Sequence, residues 1–215
     1  MLRNPNGLSY AVVSLLGVTV VVDVLSLIAT FGVRADFQGD LADHPDPAGY
    51  GGDMGMAVAG IAQGMLLVAT ATVFIIWFHR LRQNAEVWAG DLQGRSTGWA
   101  IGAWFIPVAN LVIPRGVAAD IWRASRREPY AADGGGEFAL LNGWWTLFVL
   151  DALVGRVASR MYDKADTVDG IVTATGWLMT SDLLNIAAAV LAILFVRKLT
   201  SMQHTKATGI IPAAQ

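Results

Sequence analysis

Residues 77–125 read WFHRLRQNAEVWAGDLQGRSTGWAIGAWFIPVANLVIPRGVAADIWRAS, a stretch rich in tryptophan and arginine that contains two prolines. Long apolar segments flank it on both sides. Basic residues mark the cytoplasmic loops of membrane proteins, and tryptophan is enriched at the membrane–water interface. The stretch therefore predicts the cytoplasmic rim of a small helical membrane protein.

The composition agrees with this interpretation. The chain has 215 residues, of which 54% are hydrophobic and 15% are charged, whereas soluble domains usually carry about 25% charged residues. The net charge of −2 gives no overall electrostatic case for binding nucleic acid. Cysteine is absent, which excludes disulfides, thiolate metal sites and a cysteine nucleophile.

Four apolar segments are predicted to cross the membrane as helices, at about residues 8–31, 54–78, 142–161 and 169–196. The first run is too long for a signal peptide, whose apolar region has about 7–15 residues. Gly60 and Gly64 in the second segment form a small-xxx-small pair that another helix could approach closely, either within the chain or from a second copy. The aspartate-rich residues 37–53 predict a solvated loop, because their spacing does not match a calcium-binding loop.

The second span is predicted to continue as an amphipathic helix beyond Phe78, since apolar residues keep three–four spacing as far as Trp88. Residues 98–113 are apolar but too short to span as an unbroken helix. Pro107 disfavours helix there. This segment is either a re-entrant or interfacial hairpin or a kinked span. Residues 115–127 then predict a short amphipathic helix in which Asp120 and Arg123 can pair.

The distribution of basic residues along the chain favours the hairpin over the kinked span for residues 98–113. With four spans and both termini cytoplasmic, the inner side holds most of the 15 basic residues: Arg3, Arg80, Arg82, Arg95, Arg115, Arg123, Arg126, Arg127, Arg197, Lys198 and Lys206. A crossing at 98–113 would move four of these arginines outside, against the positive-inside rule. The predicted fold is thus all-α: a polytopic helical bundle forming one membrane domain over residues 1–203, with a flexible tail at 204–215.

The rim also carries a family resemblance. Its motifs are 77–82 WFHRLR, 84–85 NA, 98–102 GWAIG, 104–107 WFIP, 110–111 NL, 114–115 PR and 120–125 DIWRAS. This pattern resembles a family of bacterial membrane proteins catalogued as domain of unknown function 4328, and the similarity extends over about residues 8–203. The resemblance implies an integral protein of the bacterial cell membrane, and it implies no activity, substrate or cofactor.

Charged residues inside the spans are the strongest functional candidates, because each costs about 2.5–3.5 kcal/mol on insertion scales. Helical rise places Arg156 level with Asp182, and Asp23 level with Arg160, which predicts two ion pairs. Asp151 has no basic residue at its depth. Together with Asn110 and Asn185, it is a candidate polar site.

The rim is a candidate docking surface for a cytoplasmic protein, besides contacting the lipid bilayer and its anionic headgroups. The residues in question are Trp77, His79, Arg80, Arg82, Asn84, Trp99, Trp104, Pro107, Pro114, Arg115, Asp120, Trp122 and Arg123. A homo-oligomer is also compatible with the pattern. We find no catalytic, cofactor or metal-binding motif, so an enzyme is disfavoured. The sequence favours a membrane-embedded interaction, scaffold or regulatory protein, and the alternative is a small oligomeric channel or transporter.

Overall fold

The structure, a computed structural model, describes residues 2–39 and 53–209. Within these ranges all regular structure is helical. The helices are α1 (Asn6–Gln38), α2 (Asp53–Ala89), α3 (Trp99–Gly102), α4 (Ile113–Ser125), α5 (Ala139–Asp163) and α6 (Val168–Thr208). Most of the acidic loop predicted at 37–53 lies outside the described residues.

Three of the described helices, α1, α2 and α6, are long and apolar enough to cross a membrane. Helix α5, which contains the third predicted span at 142–161, is not among them. Its 25 residues are long enough, but Asp151, Arg156 and Arg160 interrupt its apolar sequence. The all-α prediction is therefore confirmed within the described residues, and three of the four predicted spans lie in helices that are long and apolar enough to cross a membrane.

Contacts divide the chain into two compact units. The first unit comprises Met1–Leu16, Ala69–Trp145 and Leu191–Gln215, and the second comprises Gly17–Val68 and Thr146–Val190. Each of the four long helices contributes residues to both units.

An aromatic cluster forms the core of the first unit. Phe195 lies 4.9 Å from Trp144 and 6.2 Å from Trp122 between ring centroids, and both pairs are stacked. Phe74 and Trp104 meet edge to face at 5.6 Å. Such pairs add about 0.5–1.5 kcal/mol each beyond their burial. Tryptophans and phenylalanines within and next to the rim therefore hold the helices of this unit together.

The predicted extension of the second span is confirmed, because α2 continues to Ala89. Trp77, Phe78, Leu81 and Ala85 are buried along one face, as their spacing predicts. The short amphipathic helix is also confirmed as α4, in which Val117, Ala118, Ile121 and Trp122 are all buried. Its Asp120–Arg123 ion pair forms at 3.1 Å.

Residues 98–113 do not form one continuous helix, as predicted, but α3 already ends at Gly102, before Pro107. Between α3 and α4 the chain makes turns and a short 3-10 helix, Ala109–Leu111. Val108 has φ 67°, a left-handed conformation that a β-branched residue adopts only at a cost. Exposed apolar side chains surround the break, since Phe105 is 72%, Val108 75% and Val112 67% exposed.

The tail differs from its prediction. Helix α6 continues to Thr208, so residues 204–208 are helical rather than flexible. The Lys206 ammonium donates to the carbonyls of Ala124 at 2.8 Å and Arg126 at 2.7 Å. These two bonds satisfy carbonyls at the C-terminal end of α4, where a cation is favoured. The tail is therefore attached to the first unit up to this point.

In the second unit, Val33 and Phe37 of α1 pack with Ile171 of α6 in a small buried cluster. Arg34 donates a hydrogen bond to the carbonyl of Val172 beside it. Gly60 and Gly64 have no heavy atom of the described chain within 4 Å of a Cβ added to them. The small-xxx-small pair is thus not used for packing within this part of the chain.

Candidate functional site

Polar residues of the second unit lie on the buried faces of otherwise apolar helices. On α1, Asp23, Ser26 and Thr30 follow helical three–four spacing and are 0%, 9% and 2% exposed. On α6, Asp182 is 9% exposed. This spacing turns all of these side chains away from the exposed apolar surface, so they meet inside the unit.

Gln63 of α2 joins two of these aspartates. Its Nε2 donates to Asp23 Oδ1 at 2.9 Å and to Asp182 Oδ1 at 3.0 Å. Asn185 supplies a further side-chain hydrogen bond to Asp23, and Ser26 supplies one to Asp182. One amide group therefore holds two carboxylates close together, and we name Asp23, Gln63 and Asp182 the carboxylate site.

The second carboxylate oxygen of Asp23 is buried and has no hydrogen-bond partner in the described part of the chain. A cleft of about 350 Å³ adjoins the site, and its lining includes Ser26, Gln63 and Asp182. A buried, unpartnered carboxylate oxygen is costly unless a proton or a metal ion meets it. The arrangement can therefore hold a small cation.

Asp151 lies in a second polar group of the same unit. Its Oδ1 accepts a hydrogen bond of 2.8 Å from Ser181. Gly155 allows this approach, because a Cβ added there would lie 2.8 Å from Ser181 Oγ. A cleft of about 510 Å³, lined by Asp151, Ser181 and the α5 residues from Ala152 to Arg160 that face it, opens here.

The two predicted ion pairs do not form. Arg156 and Arg160 are exposed, and none of the ion pairs within residues 2–39 and 53–209 involves either arginine. Helical rise gave the height of each charge along its helix but not the direction in which it points. Asp23 and Asp182 are instead held by Gln63.

No hydrogen bond among the described residues joins any two of Asp151, Asn110 and Asn185, the members of the predicted polar site. Asn185 does hydrogen-bond with Asp23, whereas Asn110 belongs to the first unit, where it is half-buried in the 3-10 helix. Sequence reasoning missed Gln63. The signal was available, because Gln63 is the only amide or charged side chain in the apolar run 54–78.

Much of the predicted docking rim is core rather than surface. Five of its residues are buried: Trp77, Arg82, Asn84, Pro114 and Trp122. Trp77 Nε1 donates to Thr200 Oγ1 at 3.0 Å. Arg82 is 2% exposed, pairs with Glu86 and donates to the Arg95 carbonyl at 2.6 Å. These residues cannot meet a partner without unfolding the unit.

Asn84, one of the buried rim residues, joins several segments of the chain through side-chain hydrogen bonds. Its Nδ2 donates to the Arg3 carbonyl and to Gln203 Oε1, both at 2.9 Å, and its Oδ1 accepts from the Arg3 backbone amide at 2.8 Å. Gln203 Nε2 donates at 3.1 Å to both the Leu81 carbonyl and Ser125 Oγ. This network ties the N-terminal segment, α2, α4 and α6 together within the first unit.

The remaining rim residues are half-buried or exposed: His79, Arg80, Trp104, Arg115, Asp120 and Arg123 are half-buried, and Trp99 and Pro107 are exposed. Several of them already have partners. Arg115 donates to Asn142 Oδ1 at 2.6 Å. A docking role for the rim stays a prediction, and the surface that could serve it is smaller than the sequence indicated.

A network of ion pairs joins α4 and its C-cap residue Arg126 to residues 127–138, the connector between α4 and α5. Arg123 pairs with Asp133 at 2.9 Å, and Arg126 pairs with Glu137 at 2.6 Å. Hydrogen bonds from Arg123 and Arg126 lower the pKa of Asp133 to about 2. The same contact raises the pKa of Arg123. The connector is therefore fastened to α4 by these ion pairs.

Comparison with known proteins gives one match. The family model described as Domain of unknown function (DUF4328) matches residues 42–201. This range covers most of the chain, and the chain belongs to that family. No curated protein and no solved structure matches it.

Proposed function

We propose that this member of the DUF4328 family is a small membrane channel or transporter that binds a monovalent cation, either a proton or an alkali-metal ion, at the carboxylate site. The proposal rests on two carboxylates that accept hydrogen bonds from the same side-chain amide group. Asp23 and Asp182 both accept from Gln63 Nε2, and no basic side chain in the described part of the chain pairs with either of them.

Two ionised carboxylates in an apolar bundle repel each other, and both lose hydration. An uncompensated charge at the centre of a membrane helix costs about 2.5–3.5 kcal/mol even on insertion scales. One amide group cannot neutralise two such charges. A cation bound between them can, and the buried free oxygen of Asp23 supplies it with a ligand.

A transport role also needs access to the site, and two clefts support it. The cleft of about 350 Å³ includes Gln63 and Asp182 in its lining. The cleft of about 510 Å³ includes Asp151 and Ser181, the residue directly before Asp182, and its lining also includes Arg156 and Arg160. Asp151, at the end of this cleft away from Arg160, is a candidate second position for the cation. Intramembrane ionisable groups commonly mark such ion or proton routes.

We place the protein in the bacterial cell membrane with four spans, α1, α2, α5 and α6, and with both termini cytoplasmic. The positive-inside rule supports this orientation. In the same arrangement residues 98–113 form an interfacial or re-entrant hairpin. The exposed Phe105, Val108 and Val112 support this placement, because apolar side chains at a chain break are stabilised by contact with lipid.

A scaffold or regulatory role is the second candidate. It is favoured by Trp99, which lies in the proposed hairpin, is 36% exposed and belongs to the rim that is the candidate docking surface. A cytoplasmic protein could bind there. Specific co-purification that is lost in Trp99→Ala, and retained in Trp177→Ala at another exposed tryptophan, would support this role.

Flux in reconstituted vesicles tests the transport proposal. The purified protein is placed in liposomes with a clamped membrane potential, and proton and sodium uptake are measured in separate arms. Asp23→Asn and Asp182→Asn are compared with Asp163→Asn, which lies at the exposed end of α5. We expect one cation to enter with the wild type and with the control, and its flux to fall at least tenfold in both site variants.

Each arm identifies one cation. Proton flux alone identifies a proton site, and sodium flux alone identifies an alkali-metal site. A wild-type rate equal to that of empty liposomes in both arms would refute the proposal. Equal flux in the wild type and in folded Asp182→Asn would refute the assignment of the site.

A further inference from the structure

Two arginines of α5 form no ion pair within the described part of the chain, although they lie on a helix that is otherwise largely apolar. These residues, Arg156 and Arg160, are exposed. They are four residues apart, so they lie on one face with a separation of about 6 Å along the axis. Like charges in this relation repel each other.

Both arginines line one cleft. Its volume is about 510 Å³, and Ser159 lies between them in its lining. Residues 156, 159 and 160 share one face of a helix because of their three–four spacing. Two guanidinium groups and a hydroxyl, all hydrogen-bond donors, therefore open into the same space.

Such a donor set fits a phosphate group. The guanidinium group is planar and offers paired N–H donors that match phosphate oxygens two at a time. Two of them one turn apart can bind the same phosphate from two sides, and this removes the repulsion between them. We propose that Arg156, Ser159 and Arg160 form a phosphate-binding site, filled either by the headgroup of an anionic phospholipid or by a free phosphate ion.

Asp151 lines the same cleft and would repel an anion. Its carboxylate accepts from Ser181 at 2.8 Å. Along α5 it lies about 7.5 Å from Arg156 and about 13.5 Å from Arg160. The phosphate is therefore expected at the Arg160 end of the cleft. Arg160 also lines a neighbouring cleft of about 600 Å³ whose charged lining residues further include Lys164, Asp166 and Asp169.

The two sources of phosphate are separated by two titrations. In the first, native mass spectrometry of the protein in neutral detergent measures binding of phosphatidylglycerol, with phosphatidylcholine as the reference lipid. In the second, inorganic phosphate is titrated against the thermal midpoint in lipid-free detergent, with chloride as the reference. The variants are Arg156→Gln, Arg160→Gln and their combination, and the control is Arg127→Gln, an exposed arginine outside α5.

We expect binding in one of the two titrations to weaken at least tenfold in the double variant and to be unchanged in the control. Arg156→Lys with Arg160→Lys, which keeps the charge but loses the planar group, should give an intermediate loss. Selective phosphatidylglycerol binding identifies a headgroup site, and selective phosphate binding identifies a free-ion site. Equal affinity in the wild type and the folded double variant, or no selective binding in either titration, would overturn the proposal.

Discussion

Replacing Gln63 with leucine tests how strongly the carboxylate site depends on its single amide group. The substitution removes the hydrogen bonds to Asp23 and Asp182, which measure 2.9 and 3.0 Å. Hydrogen bonds to charged groups contribute about 1.5–3 kcal/mol each, so the expected loss in the free energy of unfolding is about 3–6 kcal/mol. For a chain of this length each kcal/mol corresponds to about 2–4 °C in Tm.

The assay is thermal unfolding in detergent, followed by tryptophan fluorescence. The matched control is Gln83→Leu, the same substitution in the same helix. The Oε1 atom of Gln83 is buried and without a hydrogen-bond partner among the described residues, so removing its amide should cost less than about 1 kcal/mol. If Gln63→Leu lowers the midpoint no more than Gln83→Leu does, the Gln63 hydrogen bonds do not stabilise the carboxylate site as proposed.

Three further predictions concern the first unit, and each is checked by thermal unfolding. The pKa of Asp133, about 2 in the folded protein, lies below the ordinary value of about 3.9. Its contribution to stability is therefore present above about pH 4 and is lost as the pH falls towards 2. Asp133→Asn should abolish this part of the acid dependence, and an unchanged profile would contradict it. Trp77→Phe removes the buried bond to Thr200 and should cost about 1–3 kcal/mol, so an unaltered midpoint would count against it. Val108→Gly should raise the free energy of unfolding by about 0.5–1 kcal/mol. It relieves a left-handed backbone conformation that costs valine about 1–2 kcal/mol, and the greater conformational entropy that glycine loses on folding offsets part of this gain. A lower midpoint would contradict this.

Local signals in the sequence predicted the parts of the fold that depend on neighbouring residues. The three–four spacing from Phe74 to Trp88 predicted that α2 continues past the apolar segment, and it ends at Ala89. Pro107 predicted that residues 98–113 do not form one continuous helix. The pairing of Asp120 with Arg123 also followed from helical spacing, since both partners lie one turn apart on α4.

Features that depend on the packing of distant segments could not be predicted in this way. Arg82 looked solvent-facing, but Glu86 and the Arg95 carbonyl satisfy its guanidinium group inside the first unit. Arg156 has the right height to pair with Asp182, yet its direction around α5 depends on how α5 packs. The role of Gln63 could not be predicted, because the sequence does not show which side chains an isolated amide in an apolar helix will contact.

Infrared difference spectroscopy on the reconstituted protein tests the carboxylate site most directly. Spectra are recorded as the pH or the sodium concentration is changed, and the carboxyl bands are compared among the wild type, Asp23→Asn, Asp182→Asn and the control Asp163→Asn. Cation binding at the carboxylate site predicts a carboxyl signal in the wild type and in the control that disappears in both site variants. A signal that persists unchanged in both, or that is absent from the wild type, would contradict it.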